Sequence, residues 1–105
     1  MPRLLNPEER NAIASDYPAW QIQQQRDAMS RTFLFANFDA AFRFMQGCAL
    51  YAEQIDHHPE WLNVWNRVEV VLSTHSAGGL TLLDLQLAQW MDQTASAIGL
   101  QPPKS

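Results

Sequence analysis

All three histidines of this 105-residue chain fall at positions 57, 58 and 75, and acidic side chains stand at telling distances from them. His57-His58 lies just ahead of Pro59, where a helix must stop, because the residue before a proline avoids the helical region. The C-terminal end of a helix carries about half a negative charge, which favours a protonated imidazole there by about 0.3–1 kcal/mol. Glu53 precedes His57 by one helical turn, so the spacing predicts the two side chains on one face and within reach of each other. A carboxylate beside an imidazole favours its protonated form, and the pattern suits a general acid at neutral pH. A solvated pair of histidines at a helix end is the plainer account of the same residues.

Asp84 has two readings. Thr81-x-x-Asp84 is a capping box, in which the acid accepts from the amide of the capping residue. The same carboxylate can serve a pocket if one oxygen caps and the other faces it. Three histidines and two acids could also ligate zinc. Adjacent helical residues point about 100° apart, however, so His57 and His58 do not readily share one ion. Their spacing is neither His-Glu-x-x-His nor any cysteine-based pattern, and the site is read as metal-free. Of the four tryptophans, Trp90 falls in a helical pattern and reads as packing, while Trp61 and Trp65 follow the histidine pair and could wall a pocket for a flat ring.

These residues need elements to position them. Asn6-Pro7-Glu8-Glu9 opens a first helix, with Asn as cap and Pro at the first helical position, and the helix ends before Tyr17-Pro18. Residues 20–25 and 29–35 read as two strands joined by a hairpin around Gln25-Arg26-Asp27. Residues 38–57 form the clearest helix, with Phe38, Phe42, Met45, Ala49, Ala52 and Ile55 as its apolar stripe. Residues 64–75 are the best strand region, in which Val68, Val70 and Leu72 alternate with Glu69 and Val71. Gly78-Gly79 breaks the chain, and Thr81 starts a last helix carrying Leu83, Leu87, Met91 and Ile98 on one side. Pro102-Pro103 closes the ordered part. The order is α-β-β-α-β-β-α, an α+β fold whose antiparallel sheet has helices on one face. One domain over 1–105 is expected, with its ordered core at about 6–99.

Composition narrows the function classes. The chain is 47% hydrophobic with only four glycines, so a packed globule is expected. Seven Lys+Arg and a net charge of −4, with no basic cluster, argue against a nucleic-acid-binding role. Cys48 is the single cysteine and lies in an apolar stretch, which reads as a buried small hydrophobe in a reducing compartment. The first ten residues are polar and show no signal-peptide pattern, and no run approaches the ~18 apolar residues of a membrane span. A cytoplasmic protein with no membrane partner is expected. So small a domain gains from self-association.

Taken together, the residues read Glu53-x3-His57-His58-Pro59-x5-Trp65-x9-His75-x8-Asp84. That string resembles the signature of the pterin-4a-carbinolamine dehydratase family, also known as the dimerisation cofactor of a homeodomain transcription factor. The segments Phe42-Arg43-Phe44-Met45, Asp56-His57-His58-Pro59-Glu60-Trp61 and Leu72-Ser73-Thr74-His75 resemble family sequence nearly residue for residue. Weaker similarity runs from Glu8-Glu9-Arg10 to about Gly99, and Ser76-Ala77-Gly78-Gly79 departs from it. The resemblance implies a four-stranded antiparallel sheet with three helices, and a homodimer or homotetramer. It implies a hydro-lyase that dehydrates 4a-hydroxytetrahydrobiopterin to quinonoid dihydropterin for tetrahydrobiopterin recycling, in functional coupling to an aromatic amino acid hydroxylase. No metal or organic cofactor is implied.

By resemblance His57, His58 and His75 are catalytic, with Glu53 and Asp84 supporting them. His57 is expected to be oriented by Glu53 and to handle the ring-nitrogen proton, while His58 or His75 protonates the hydroxyl. Asp84 is expected at the pocket's polar edge or positioning His75. Pterin contacts are expected from Asp56, Pro59, Ser73, Thr74 and Ser76 together with the histidines, and Trp20 or Trp61 is expected near the ring. Two other readings compete: a binding or coactivator module with the same fold, and a dehydratase acting on another oxidised pterin such as that of the molybdenum cofactor.

Overall fold

The computed structural model describes residues 2–102, so Pro103 of the expected Pro102-Pro103 terminus lies outside the described residues. The elements in chain order are α1 (Pro7–Asp16), β1 (Gln21–Ile22), β2 (Met29–Leu34), α2 (Phe38–Gln54), β3 (Glu60–Val64), β4 (Arg67–Leu72), a 3-10 turn at His75–Ala77, and α3 (Leu82–Ile98). This is the α+β order α-β-β-α-β-β-α. α1 starts as its sequence predicts: the Asn6 side chain accepts from the Glu9 amide, and Glu9 accepts in return from the Asn6 amide.

All strand pairs are antiparallel, and the sheet order is β1-β2-β4-β3. Two strand boundaries differ from expectation. The strand read over 20–25 is only Gln21–Ile22, because the glutamines that follow have little β propensity and the chain turns away into the hairpin loop. The region read over 64–75 is divided: Val64 ends β3, Trp65-Asn66 forms a two-residue turn, and β4 begins at Arg67. Trp65 takes a positive φ of 49°, and the Asn63 side chain donates to the Trp65 and Arg67 carbonyls to hold that turn.

The alternation in β4 sets the layers. Val68, Val70 and Leu72 are buried, and Phe33 and Met29 lie opposite Val68 and Leu72 on β2, while Thr32 and Glu69 point to the more accessible side. Phe33, Phe35 and Phe44 pack with ring centroids 4.7–6.4 Å apart at the centre of a single hydrophobic cluster running from Leu5 to Ala95. The face that α2 buries matches the predicted stripe only in part: Ala52 is buried and Met45 and Ile55 are half-buried against the core, while Ala49 is exposed. Ala40, Ala41, Phe44, Cys48 and Ala52 are buried, whereas Phe38 and Phe42 are exposed and stack on each other with centroids 5.8 Å apart. Phe44 and Cys48 face inward with the small Ala40, Ala41 and Ala52, which let the helix approach its neighbours closely, so the packed face lies rotated from the predicted stripe in the first turns. Burial pushes the Cys48 thiol up to about 12. No helix among the described residues is long and apolar enough to cross a membrane.

Candidate active site

The end of α2 is what delivers the histidine pair. The helix stops at Gln54 with Ile55 as its cap, three residues earlier than the spacing predicts. Asp56 follows with a positive φ of 50°, the His57 amide donates to the Ala52 carbonyl at 3.0 Å, and the Asp56 amide donates to the Glu53 carbonyl at 3.3 Å. These crossed bonds are a Schellman motif, with aspartate tolerating the left-handed position usually taken by glycine. The reversal swings His57 off the helix face and into the protein, where it is buried, and leaves His58 on the surface.

The predicted partnership of Glu53 with His57 therefore does not form. A one-turn pairing requires both residues on a continuous helix, and Asp56 breaks that continuity. Glu53 accepts instead from His58 Nε2 at 2.5 Å. His57 donates through Nε2 to Asp84 Oδ1 at 2.6 Å, a contact spanning 27 residues of sequence.

Asp84 caps α3 as its sequence position predicts, but it is fully buried and does not itself line the cavity, which it reaches through His57. Its Oδ2 accepts from the Thr81 amide at 2.9 Å, closing the capping box of α3, and from Thr74 Oγ1 at 2.8 Å. Thr74 has one hydroxyl proton and gives it to Asp84, so the 2.7 Å contact between the two threonines is a donation from Thr81 to Thr74. Thr81 Oγ1 accepts in turn from the Leu83 amide. Every buried side-chain polar atom among the described residues is partnered. Asp84 thus contacts His57 and not His75, because the chain beyond β4 turns away after Thr74 and carries His75 out to the surface.

His75 has a partner that sequence reading missed. Its Nε2 donates to Glu60 Oε2 at 3.0 Å, and Arg26 grips the same carboxylate with NH1 and NH2 at 2.9 and 2.7 Å. The Arg26 bonds, followed by that of His75, hold the Glu60 carboxyl down at about 2. Glu60 opens β3 and Arg26 sits in the β1–β2 hairpin, so no helical or strand spacing links either to His75. Each histidine consequently has its own carboxylate: His57 with Asp84, His58 with Glu53, and His75 with Glu60.

The three imidazoles line one cavity of about 590 Å³, within the size range of small-molecule sites. Asp56, His57, His58, Pro59, Ser73, Thr74, His75 and Ser76 all line it, joined by Pro2, Ile55, Glu60 and Leu83. The tryptophans are elsewhere. Trp20 is buried in the core, edge-on to Phe33, with its indole N–H donating to Asp92. Trp61 is half-buried against the core, and Trp65 is exposed at the β3–β4 turn. Trp90 stacks on Tyr51 with centroids 4.4 Å apart.

The loop carrying Ser73 to Leu80 is anchored from behind by Asp27. Ser73 Oγ donates to the Asp27 carbonyl, the Leu80 amide donates to Asp27 Oδ2, and Arg10 clamps that carboxylate at 2.5 and 2.8 Å. The Asp27 carboxyl is held low chiefly by Arg10. Gly79 makes this approach possible, since a Cβ there would stand 2.0 Å from Asp27 Oδ2.

An antiparallel α+β domain that gathers three imidazole–carboxylate pairs around a cavity is equipped for proton transfer to and from a small ligand. Comparison with known proteins makes the class specific. Residues 3–94 match the family model described as Pterin 4 alpha carbinolamine dehydratase. Two bacterial relatives carry the name "Putative pterin-4-alpha-carbinolamine dehydratase". That of Bordetella avium (strain 197N) is 54% identical over 82 residues, covering 78% of this chain and 76% of the relative. That of Bradyrhizobium sp. (strain ORS 278) is 52% identical over 94 residues, covering 90% and 94%. Among solved structures, a transcriptional coactivator/pterin dehydratase from Brucella melitensis superposes with a TM-score of 0.85 at 45% identity, over 89% of this chain and 99% of that one. A pterin dehydratase-like RuBisCO assembly factor of the alpha-carboxysome shares the fold, with a TM-score of 0.63 at 19% identity over 73% of this chain and 89% of its own. The chain belongs to the pterin 4-alpha-carbinolamine dehydratase family.

Proposed function

We propose that this protein is a 4a-hydroxytetrahydrobiopterin dehydratase, working by histidine acid–base catalysis in the cytoplasm. The observation that carries the reading is the convergence of three carboxylate-paired imidazoles on one cavity in a chain of this family. Elimination of water breaks the C4a–O bond, with a proton delivered to the departing hydroxyl. The neighbouring ring nitrogen loses its proton as the C4a=N double bond forms. No electrons are exchanged, so an acid and a base suffice. His57, oriented by Asp84, takes the ring-nitrogen proton, and His58 or His75 serves the hydroxyl. Asp56, Pro59, Ser73, Thr74 and Ser76 hold the pterin. The product feeds tetrahydrobiopterin recycling beside an aromatic amino acid hydroxylase.

Purified protein is expected to accelerate carbinolamine dehydration, with turnover unchanged by a chelator. His57→Ala, His58→Ala and His75→Ala, assayed on each 4a epimer, are expected to lose activity unequally, by roughly 10²–10⁴-fold for the acid or base each epimer needs. Equal losses for all three on both epimers reject the division of labour, and no turnover by the native protein rejects the enzyme.

A second reading, a coactivator-type binding module, draws on the double description of the Brucella protein. The exposed Phe38 and Phe42 of α2 and Leu62 and Val64 of β3 support self-association as a homodimer or homotetramer.

A further inference from the structure

We infer that Arg26 and Glu60 act together as positioning residues for His75, committing its Nε2 to the Glu60 carboxylate and leaving Nδ1 as the nitrogen that exchanges protons with the ligand. The inference rests on the dehydratase reading and adds to it two residues and a working atom. The contrast with His57 motivates it. His57 is held by burial and by the Asp84 network, whereas the His75 side chain is 75% exposed. His75 lines the main cavity and also a second cavity of about 290 Å³ shared with Arg26, Asp27, Ser73 and Gly78. Packing leaves its ring free to turn, and among the described residues Glu60 is the side chain that hydrogen-bonds it. An imidazole reacting with a defined atom needs a fixed orientation and a fixed tautomer.

Glu60 is itself fixed by geometry. Arg26 approaches it with both terminal nitrogens, the fork arrangement that orients a carboxylate plane as well as charging it. Oε2 is shared, accepting from Arg26 NH2 at 2.7 Å and from His75 Nε2 at 3.0 Å. A carboxylate donates no proton, so the nitrogen facing it must carry one, and the other nitrogen is the one that can pick up or release a proton. Both partners of the ion pair are more than 40% exposed, at 43% and 42%, and such a pair contributes little to folding. Its residues come from the β1–β2 hairpin, the start of β3 and the turn after β4, and they meet at the rim of the cavity.

The test has a spectroscopic and a kinetic arm. In the ligand-free protein at alkaline pH, imidazole ¹⁵N shifts are expected to show His75 protonated on Nε2 with Nδ1 bare. Glu60→Ala is expected to move the His75 shifts toward a tautomer mixture while leaving those of His57 in place. Turnover by Glu60→Ala is expected to fall about tenfold in kcat with KM within twofold, and Arg26→Gln to fall less, with partial recovery in Arg26→Lys. In a His75→Ala background Glu60→Ala is expected to cost nothing further, whereas a general structural role predicts a second loss. Native turnover combined with unmoved His75 shifts and an unchanged Glu60→Ala kcat overturns the clamp and leaves the dehydratase reading standing. Absence of native turnover rejects the dehydratase reading, and the nitrogen shifts alone then decide whether Glu60 holds the ring.

Discussion

The buried His57–Asp84 pair and the exposed His58–Glu53 pair are the same chemistry in two settings, and they stand next to each other in sequence. His57 and Asp84 have side chains 8% and 0% exposed, and Asp84 accepts three hydrogen bonds from residues on three different segments. His58 and Glu53 are 55% and 77% exposed and have each other as their one side-chain partner among the described residues. In the first pair the geometry is imposed by the fold, and disturbing either member strands buried polar groups. In the second the geometry is worth little to folding, because water competes for both groups. The site thus combines an imidazole held by burial and a buried network with two exposed imidazoles that each have a single carboxylate partner.

Asp84→Ala is the substitution expected to do most. It removes the acceptor of His57, Thr74 and the Thr81 amide at once. Stability is expected to fall by about 3–5 kcal/mol, as for breaking a buried paired network, and turnover by at least about 100-fold. Denaturant melts and steady-state assays measure both, and a loss under 1 kcal/mol would mean that Asp84 only caps α3. Glu53→Ala is expected to change stability by less than about 0.5 kcal/mol and activity by less than about tenfold. If it matches Asp84→Ala in either measure, burial is not what distinguishes the pairs.

The smallest effect concerns acid. The Glu60 carboxyl sits at about 2 in the folded protein, below the 4.5 of an unperturbed glutamate, so its contribution is complete above about pH 4.5 and is lost as pH falls toward 2. The stability difference between native protein and Glu60→Ala is therefore expected to be small and flat above pH 5 and to shrink below it. A difference that grows on acidification contradicts the pairing with Arg26.

Much of this was legible in the chain. The capping residues Asn6 and Thr81, the alternation in Val68–Val70–Leu72 and the element order are local signals, each read within a few residues and each found in the fold. The α2 stripe is legible only in part: Ala52, Met45 and Ile55 lie in or against the core, whereas Phe38 and Phe42 stay exposed because three- and four-residue spacing fits more than one face of this apolar helix. Eight of the twelve residues that line the cavity are those the family resemblance implies, and Pro2, Ile55, Glu60 and Leu83 join them only through the fold, while Trp20 lies in the core and Trp61 packs half-buried against it.

The sequence by itself determined which side chains can transfer protons, where the helices begin and in what order helices and strands follow, and to which family the chain is similar. Only the tertiary structure decided which carboxylate serves which histidine. Helical spacing assigned Glu53 to His57, but one aspartate at positive φ ended the helical phase and sent the two histidines in opposite directions. Asp84 and Glu60 lie 27 and 15 positions from the histidines they hold. Pairings at such separations are set by how strands and loops pack, and no periodicity in the chain encodes them.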